Sequence, residues 1–69
     1  MKRYLVVIEK ADGNYSAYLP DVPGCVATGR TIEEVKQNIG EALKMHLEGI
    51  IEDGLPLPEP KAEGDYITA

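Results

Sequence analysis

The chain has 69 residues and a formal net charge of −5, and 43% of its residues are apolar. A single cysteine excludes an internal disulfide, and one cysteine with one histidine is too few for a closed zinc site of about four ligands. A domain this small buries roughly 60% of its unfolded surface and commonly gains stability by self-association. We therefore expect one domain over residues 1–69, without a metal or cofactor and in at least two copies.

Charge is distributed unevenly along the chain. Residues 1–30 hold four basic and three acidic residues, whereas residues 31–69 hold three basic and nine acidic residues. An acidic surface repels phosphate backbones and suits a basic partner, because complementary charge speeds encounter. We therefore expect a protein partner and no direct nucleic-acid binding, although an acidic helix that only aids solubility is an open alternative. Without a long apolar run or a signal peptide, we expect a cytoplasmic protein that does not enter a membrane.

The first part of the chain predicts three strands. "RYLVVIEK" alternates, with Tyr4, Val6 and Ile8 on one face and Leu5 and Val7 on the other. "ADGN" is a hairpin turn signal, so "YSAYL" is predicted as the returning strand, and "CVATG" as a short third strand. Apolar residues on both faces of the first strand indicate that something packs on each side of it.

A helix follows the third strand. Thr31 and Glu34 match the capping box that begins a helix, and apolar residues then recur every three or four positions up to about Glu52. His46 lies on this apolar stripe, and Gly54 is a candidate C-cap. "LPLPEP" predicts an extended tether, and "DYITA", residues 65–69, predicts a last strand.

The predicted fold is therefore α+β, a two-layer β-β-β-α-β arrangement in which one helix covers one face of a sheet. Either Leu5 and Val7 or the opposite set faces this helix, and no element remains to cover the other face. We expect a homodimer, or a dimer of dimers, with Leu5 and Val7 in the contact, because twofold symmetry is the commonest closed arrangement.

The segment "YSAYLPDVPGCVATGRTIEEVKQNIGEAL" resembles the signature of the HicB-like antitoxin family. It shares an aromatic–small strand, a P-D-x-P-G-C turn, a glycine and a threonine before the helix, and an acidic helix. "EDGLPLPEP" resembles the exit of the family's helix. The resemblance implies a partial RNase H-like sheet of order 3-2-1-4 that assembles as dimers or larger units.

The same resemblance implies the antitoxin of a type II toxin–antitoxin pair. Such proteins bind a HicA-like toxin, a small basic mRNA-cleaving protein, and block its active site. Many family members add a DNA-binding segment after the last strand, whereas this sequence shows none, so we expect no C-terminal DNA-binding domain. The resemblance does not identify which residues contact a toxin.

Two other functions remain open, a metal-dependent nuclease on an RNase H-like fold and an orphan protein-binding adaptor. A nuclease of this kind needs several carboxylates converging on metal ions, and the first strand offers only Glu9 at its end. We therefore expect no catalytic residues and no enzymatic activity. Cys25 is expected to be a buried apolar residue, and His46 a packing residue of the helix. The proline- and glycine-rich loop between the second and third strands is expected to be structural rather than a partner surface.

Overall fold

The computed structural model describes residues 2–69, which form three strands and one helix. The elements are β1 (Val7–Ala11), β2 (Asn14–Tyr18), β3 (Val26–Gly29) and α1 (Ile32–Glu52). The strands form an antiparallel sheet of order β1-β2-β3, and α1 packs on one face of it. The α+β class with one covering helix is confirmed. A relationship to RNase H and the single-domain organisation stay predictions.

The hairpin between β1 and β2 determines where β1 begins. Val7 pairs with Tyr18, the last residue of β2, and the chain then turns away at Pro20, which has no N–H to donate to a ladder. Residues 4–6 therefore have no opposite residue in β2, and the strand starts later than the alternating pattern predicts. At the other end, Asp12 and Gly13 connect the strands, with Gly13 at a φ of 80° that glycine adopts without steric cost.

The core lies between α1 and the inner face of the sheet. Ala17 of β2 lies beside Ile8 of β1 and Ala27 of β3, so these three residues share that face. The buried core consists of Ala17, Leu19, Val22, Cys25, Val35 and Ile39. The set Tyr4, Val6 and Ile8 packs against this core, which places Leu5 and Val7 on the opposite face of the sheet, here called the outer face.

Both predicted helix caps are present. The Thr31 hydroxyl accepts a hydrogen bond from the Glu34 N–H at 3.0 Å. The Glu34 carboxylate accepts in return from the Arg30 N–H at 3.3 Å, one residue before the usual capping-box partner. At the other end, Gly54 has a φ of 70°, and the N–H groups of Gly54 and Leu55 bond carbonyls of the last turn in a Schellman motif.

The last part of the chain differs from the prediction. Within the described residues, 65–69 form no strand, because a strand of this length is stable only when its backbone groups join a ladder, and no described strand pairs with them. The tail, here residues 55–69, instead runs beside residues 2–6. Gly64 lies against the Leu5 side chain, so Leu5 is half-buried by its own chain rather than bare.

The packing role predicted for His46 is wrong, since its side chain is exposed. The helix has 21 residues and is about 31 Å long, whereas a four-residue strand such as β3 extends about 14 Å. The sheet therefore covers only the first half of the apolar stripe, where Val35 and Ile39 are buried. His46 lies beyond that cover.

Candidate protein-binding surfaces

The loop between β2 and β3 is built from two consecutive turns. The Val22 N–H bonds the Leu19 carbonyl, and the Cys25 N–H bonds the Val22 carbonyl, each at 3.1 Å. A proline occupies the second position of each turn, and Gly24 has a φ of 85° in the second one. Leu19, Val22 and Cys25 all point into the core, with Val22 only 1% exposed. The structural role expected for this loop is explained by that packing.

The loop also holds the tail, a role that the sequence analysis missed. The Asp21 carboxylate accepts hydrogen bonds from the backbone N–H groups of Lys61 at 3.0 Å and Ala62 at 2.9 Å. Two further contacts join the tail to the N-terminal segment: the Tyr4 hydroxyl donates to the Pro58 carbonyl at 2.7 Å, and Lys2 pairs with Glu59 at 3.1 Å. Nothing in the local sequence around Asp21 signals partners 40 positions away.

The outer face of the sheet carries a row of apolar side chains across all three strands. Val7 lies opposite Tyr18, and Tyr18 lies opposite Val26. Tyr18 is 42% exposed and Val26 is 66% exposed, while Val7 is half-buried. Leu5 precedes this row on the same face. The residues singled out from the first strand, Leu5 and Val7, are thus joined by Tyr18 and Val26, which the alternation of their own strands could have identified.

The exposed surface of α1 is acidic. Glu41, Glu48 and Glu52 are exposed between the middle of the helix and its end, and its last turn holds no basic residue. Among residues 2–69, Lys2–Glu59 is the one ion pair, so these three carboxylates have no basic partner within the described chain. Their charge is directed toward solvent or toward a binding partner.

The side chains considered for chemistry are far from forming a reactive site. Cys25 is 3% exposed, as expected for a small apolar core residue, and burial raises the pKa of its thiol, which favours the unreactive neutral form. Glu9 is exposed on β1. Across residues 2–69, no three His, Cys, Asp or Glu residues are placed to hold a metal ion. In the same residues, no helix is both long and apolar enough to cross a membrane.

Comparison with protein families gives a match to the model of the HicB-like antitoxin of bacterial toxin–antitoxin systems over residues 4–68. A 14.9 kDa protein from the rep-hol intergenic region of Haemophilus phage HP1 is 41% identical over 94% of this chain. The chain spans about half of that phage protein, 49% of its length. A UPF0150 protein of Synechocystis is 42% identical, over 81% of this chain and 72% of its own length.

A UPF0150 protein of the archaeon Thermoplasma acidophilum is 32% identical over 91% of each chain. Among solved structures, a chain of a HicA3 and HicB3 toxin–antitoxin complex superposes with a TM-score of 0.71 and 33% identity. The match covers 87% of this chain and 70% of that chain. At this identity and coverage, the likeness extends to the arrangement of the sheet and the helix.

Proposed function

Because this chain belongs to the HicB-like antitoxin family, we propose that it binds and neutralises a small, basic, HicA-like mRNA-cleaving toxin. The observation that carries the proposal is the family match over residues 4–68, supported by the likeness to a chain of a HicA3–HicB3 complex. Neutralisation of this kind requires a folded surface that covers the toxin's active site and no reactive group on the antitoxin. A cytoplasmic location belongs to the same proposal, because the substrate of such a toxin is mRNA.

The charge of the chain supports a basic partner. Glu41, Glu48 and Glu52 form no ion pair within the described residues, so they are available to attract cations across an interface. Charges at the rim of an interface mainly set the association rate, and that contribution weakens as salt increases. We therefore expect association with the toxin to slow between low and physiological ionic strength.

The direct experiment uses a basic protein of similar size that is encoded beside this chain. RNA cleavage by that purified protein is measured with increasing amounts of this chain. The proposal expects cleavage to fall to background at a fixed stoichiometry. A complex that leaves cleavage unchanged, or no complex at micromolar concentration, would contradict it.

A set of variants that neutralise carboxylates tests the electrostatic part separately. Replacing Glu41, Glu48 and Glu52 with glutamine should slow association with the toxin and flatten its salt dependence. Asp12→Asn, in the hairpin turn outside the acidic half, is the control and should leave the association rate unchanged. Equal rates for the triple variant and the unmodified chain would refute the role of α1 charge and leave the antitoxin proposal intact.

The nuclease alternative predicts different behaviour. It requires metal-dependent cleavage of RNA or DNA by the chain alone, and Glu9 is the first-strand carboxylate that such chemistry would use. We expect no cleavage with or without Mg²⁺. Turnover that survives rigorous purification and disappears in Glu9→Gln would favour the nuclease. An orphan adaptor differs again, since it would have no basic protein encoded beside it to inhibit.

We propose further that the chain self-associates, as a homodimer or a dimer of dimers, through the outer face of its sheet. Leu5 and Val7 are the residues predicted for this contact, and Tyr18 and Val26 extend the same apolar surface. Fully burying a valine or leucine is worth roughly 1.5–3 kcal/mol, although the cost of association offsets much of that gain.

A charged residue on this face tests the contact. Val7→Lys should reduce the mass in solution from two or more copies to one. Gln37→Lys, on the exposed surface of α1, is the matched control. A folded monomer of the unmodified chain at micromolar concentration would contradict this proposal.

A further inference from the structure

The part of α1 that extends beyond the sheet exposes large apolar side chains. In this projecting end, here residues 45–54, Met45 is 73% exposed and Ile51 is 60% exposed. Leu55, the next residue along the chain, is 58% exposed, whereas Leu47 and Ile50 are half-buried. Single exposed apolar residues are ordinary, but several of them at one end of a helix are typical of a surface that binds a partner.

The two exposed apolar residues of the projecting end border a row of carboxylates. Met45 and Ile51 lie about 120° apart around the helix axis, since successive residues are about 100° apart. Glu48 and Glu52 fall between them, on the opposite side of the helix from the buried Val35. The outward side of the projecting end therefore has an acidic centre with an apolar side chain on each flank.

The chain itself leaves this negative charge without an ion pair. Lys44 lies three residues after Glu41 and four before Glu48, the spacings at which charges on a helix can meet. Even so, Lys2–Glu59 is the one ion pair among residues 2–69. The C-terminal end of a helix also carries partial negative charge, and the last turn of α1 holds no basic residue to offset it. This end of the molecule should therefore attract cationic groups.

A second copy of this chain is a poor occupant of the surface. Two copies that met through their projecting ends would bring Glu48 and Glu52 of each chain together, and the chain as a whole has a net charge of −5. Like charges placed against each other disfavour an interface. A basic protein removes this conflict, because lysine and arginine side chains combine an apolar stem with a charged head. Such a stem can lie on Met45 or Ile51 while its head reaches a carboxylate.

From these observations we propose that the projecting end of α1 is the surface on which the basic toxin docks. Met45 and Ile51 are its apolar anchors, and Glu48 and Glu52 are its cation partners. The inference rests on the antitoxin function proposed above, which it makes more specific. It leaves the outer face of the sheet free for self-association.

Truncating the two anchors tests the docking surface. The binding partner in this experiment is the purified basic protein that is encoded beside this chain. Met45→Ala and Ile51→Ala should each raise the dissociation rate of the complex roughly tenfold. The association rate and its salt dependence should stay unchanged, because apolar contacts form after the encounter that charge accelerates.

The control for these variants is Ile32→Ala. Its side chain is 44% exposed at the other end of the same helix, and its loss should leave the dissociation rate unchanged. Because Met45 and Ile51 are exposed in the free chain, their truncation should also leave the midpoint of unfolding nearly unchanged. Equal dissociation rates for the two anchor variants and the unmodified chain would overturn the proposal, and so would an equal increase in Ile32→Ala.

A further variant compares the projecting end with the outer face. Val26 is 66% exposed on β3, so Val26→Ala removes a similarly exposed apolar side chain from the outer face. We expect it to leave dissociation of the toxin unchanged. If Val26→Ala accelerated dissociation while the two anchor variants did not, the toxin would dock on the outer face and the proposal would be refuted.

Carbodiimide coupling of the complex, which joins a carboxylate to a nearby lysine as an amide, locates the contact independently. Mass spectrometry should find Glu48 or Glu52 joined to the toxin, and should not find Glu9 of β1 joined to it. Coupling through Glu9 alone would overturn the docking surface. If the unmodified chain blocks RNA cleavage while the anchors and the coupling give the contrary results, the docking surface is wrong and the antitoxin function stands. If the unmodified chain does not block cleavage, both proposals are refuted.

Discussion

Two sides of this small molecule are held together in different ways. On one side, residues 19–39, two turns place three side chains in the core, a capped helix begins directly after β3, and Val35 and Ile39 are buried. On the other side, β1 has one paired edge, and the tail is attached by a few hydrogen bonds, four of them to Lys2, Tyr4 and Asp21. The first side is stabilised by burial within one chain, whereas the second leaves backbone groups and apolar side chains without partners among residues 2–69. A protein that works by binding can complete such a side with another molecule.

The largest expected effect is at the junction between β3 and α1. Gly29→Ala would place a Cβ 2.6 Å from the Val35 nitrogen and 2.9 Å from its Cα, and these backbone atoms cannot move without shifting the helix. We expect a loss of about 3 kcal/mol in the free energy of unfolding, measured by denaturant titration. Gly40→Ala is the matched control, because no atom lies within 4 Å of its added Cβ. It should raise the free energy of unfolding by roughly 1 kcal/mol.

A smaller loss is expected in the loop. Gly24 has a φ of 85°, which costs a residue with a side chain about 1–2 kcal/mol, although the space around it is open. Gly24→Ala should lower the free energy of unfolding by that amount in thermal or chemical unfolding, while Gly24→Asn should lose less. If the two variants, Gly24→Ala and Gly24→Asn, were equally stable, the positive φ at Gly24 would not determine the stability of the loop.

Weakening a contact of the tail should change the local protection of the tail and not the global stability of the fold. Asp21→Asn keeps the shape of the side chain but removes the charge that strengthens its hydrogen bonds to Lys61 and Ala62. Trypsin cleavage after Lys61 should become roughly fivefold faster, which corresponds to about 1 kcal/mol of lost local protection. The midpoint of global unfolding should change little. Asp12→Asn is the control for the loss of one negative charge. A large change in the midpoint of global unfolding of Asp21→Asn would contradict the view that the tail is loosely attached.

The smallest effect concerns pH. Burial raises the pKa of the Cys25 thiol in the folded chain above its value in the unfolded chain. As pH rises through the unfolded pKa, near 8.5, the unfolded chain releases this proton first, and the free energy of unfolding falls. Below that pH the contribution of Cys25 is constant. Cys25→Ala should therefore show a shallower loss of stability between pH 8 and pH 10 than the unmodified chain.

The difference between these two sides of the molecule also explains which features could be predicted from the sequence. Local signals in the sequence predict the hairpin at Gly13, the helix cap formed by Thr31 and Glu34, and the α+β order of the elements. The structure confirms these three predictions. Alternation separated the two faces of the first strand, but it left open which of them α1 covers, and the structure shows that Tyr4, Val6 and Ile8 face the core. The exposure of His46 was missed because periodicity describes which side of a helix is apolar and not how far the sheet extends beneath it.

The tail could not be placed from the sequence for a related reason. The Asp21 contact joins residues 40 positions apart, and no local pattern encodes a hydrogen bond to a distant backbone N–H. The predicted strand at residues 65–69 has the composition of a strand, but composition does not supply a neighbouring strand. For the outer face, the alternation in β1 identified Leu5 and Val7, and the same reasoning applied to β2 and β3 would have added Tyr18 and Val26.

Residues 19–39 are held by contacts within one chain, whereas residues 65–69 join no strand ladder within the described residues 2–69. Backbone hydrogen exchange measured over a range of protein concentrations tests it most directly. The account predicts that amides of α1 near Val35 and Ile39 are protected at every concentration. Amides of residues 65–69 should exchange freely in the dilute monomer, because none of them joins a strand ladder within the described residues. Protection of residues 65–69 that is already complete in a dilute monomer would contradict the account.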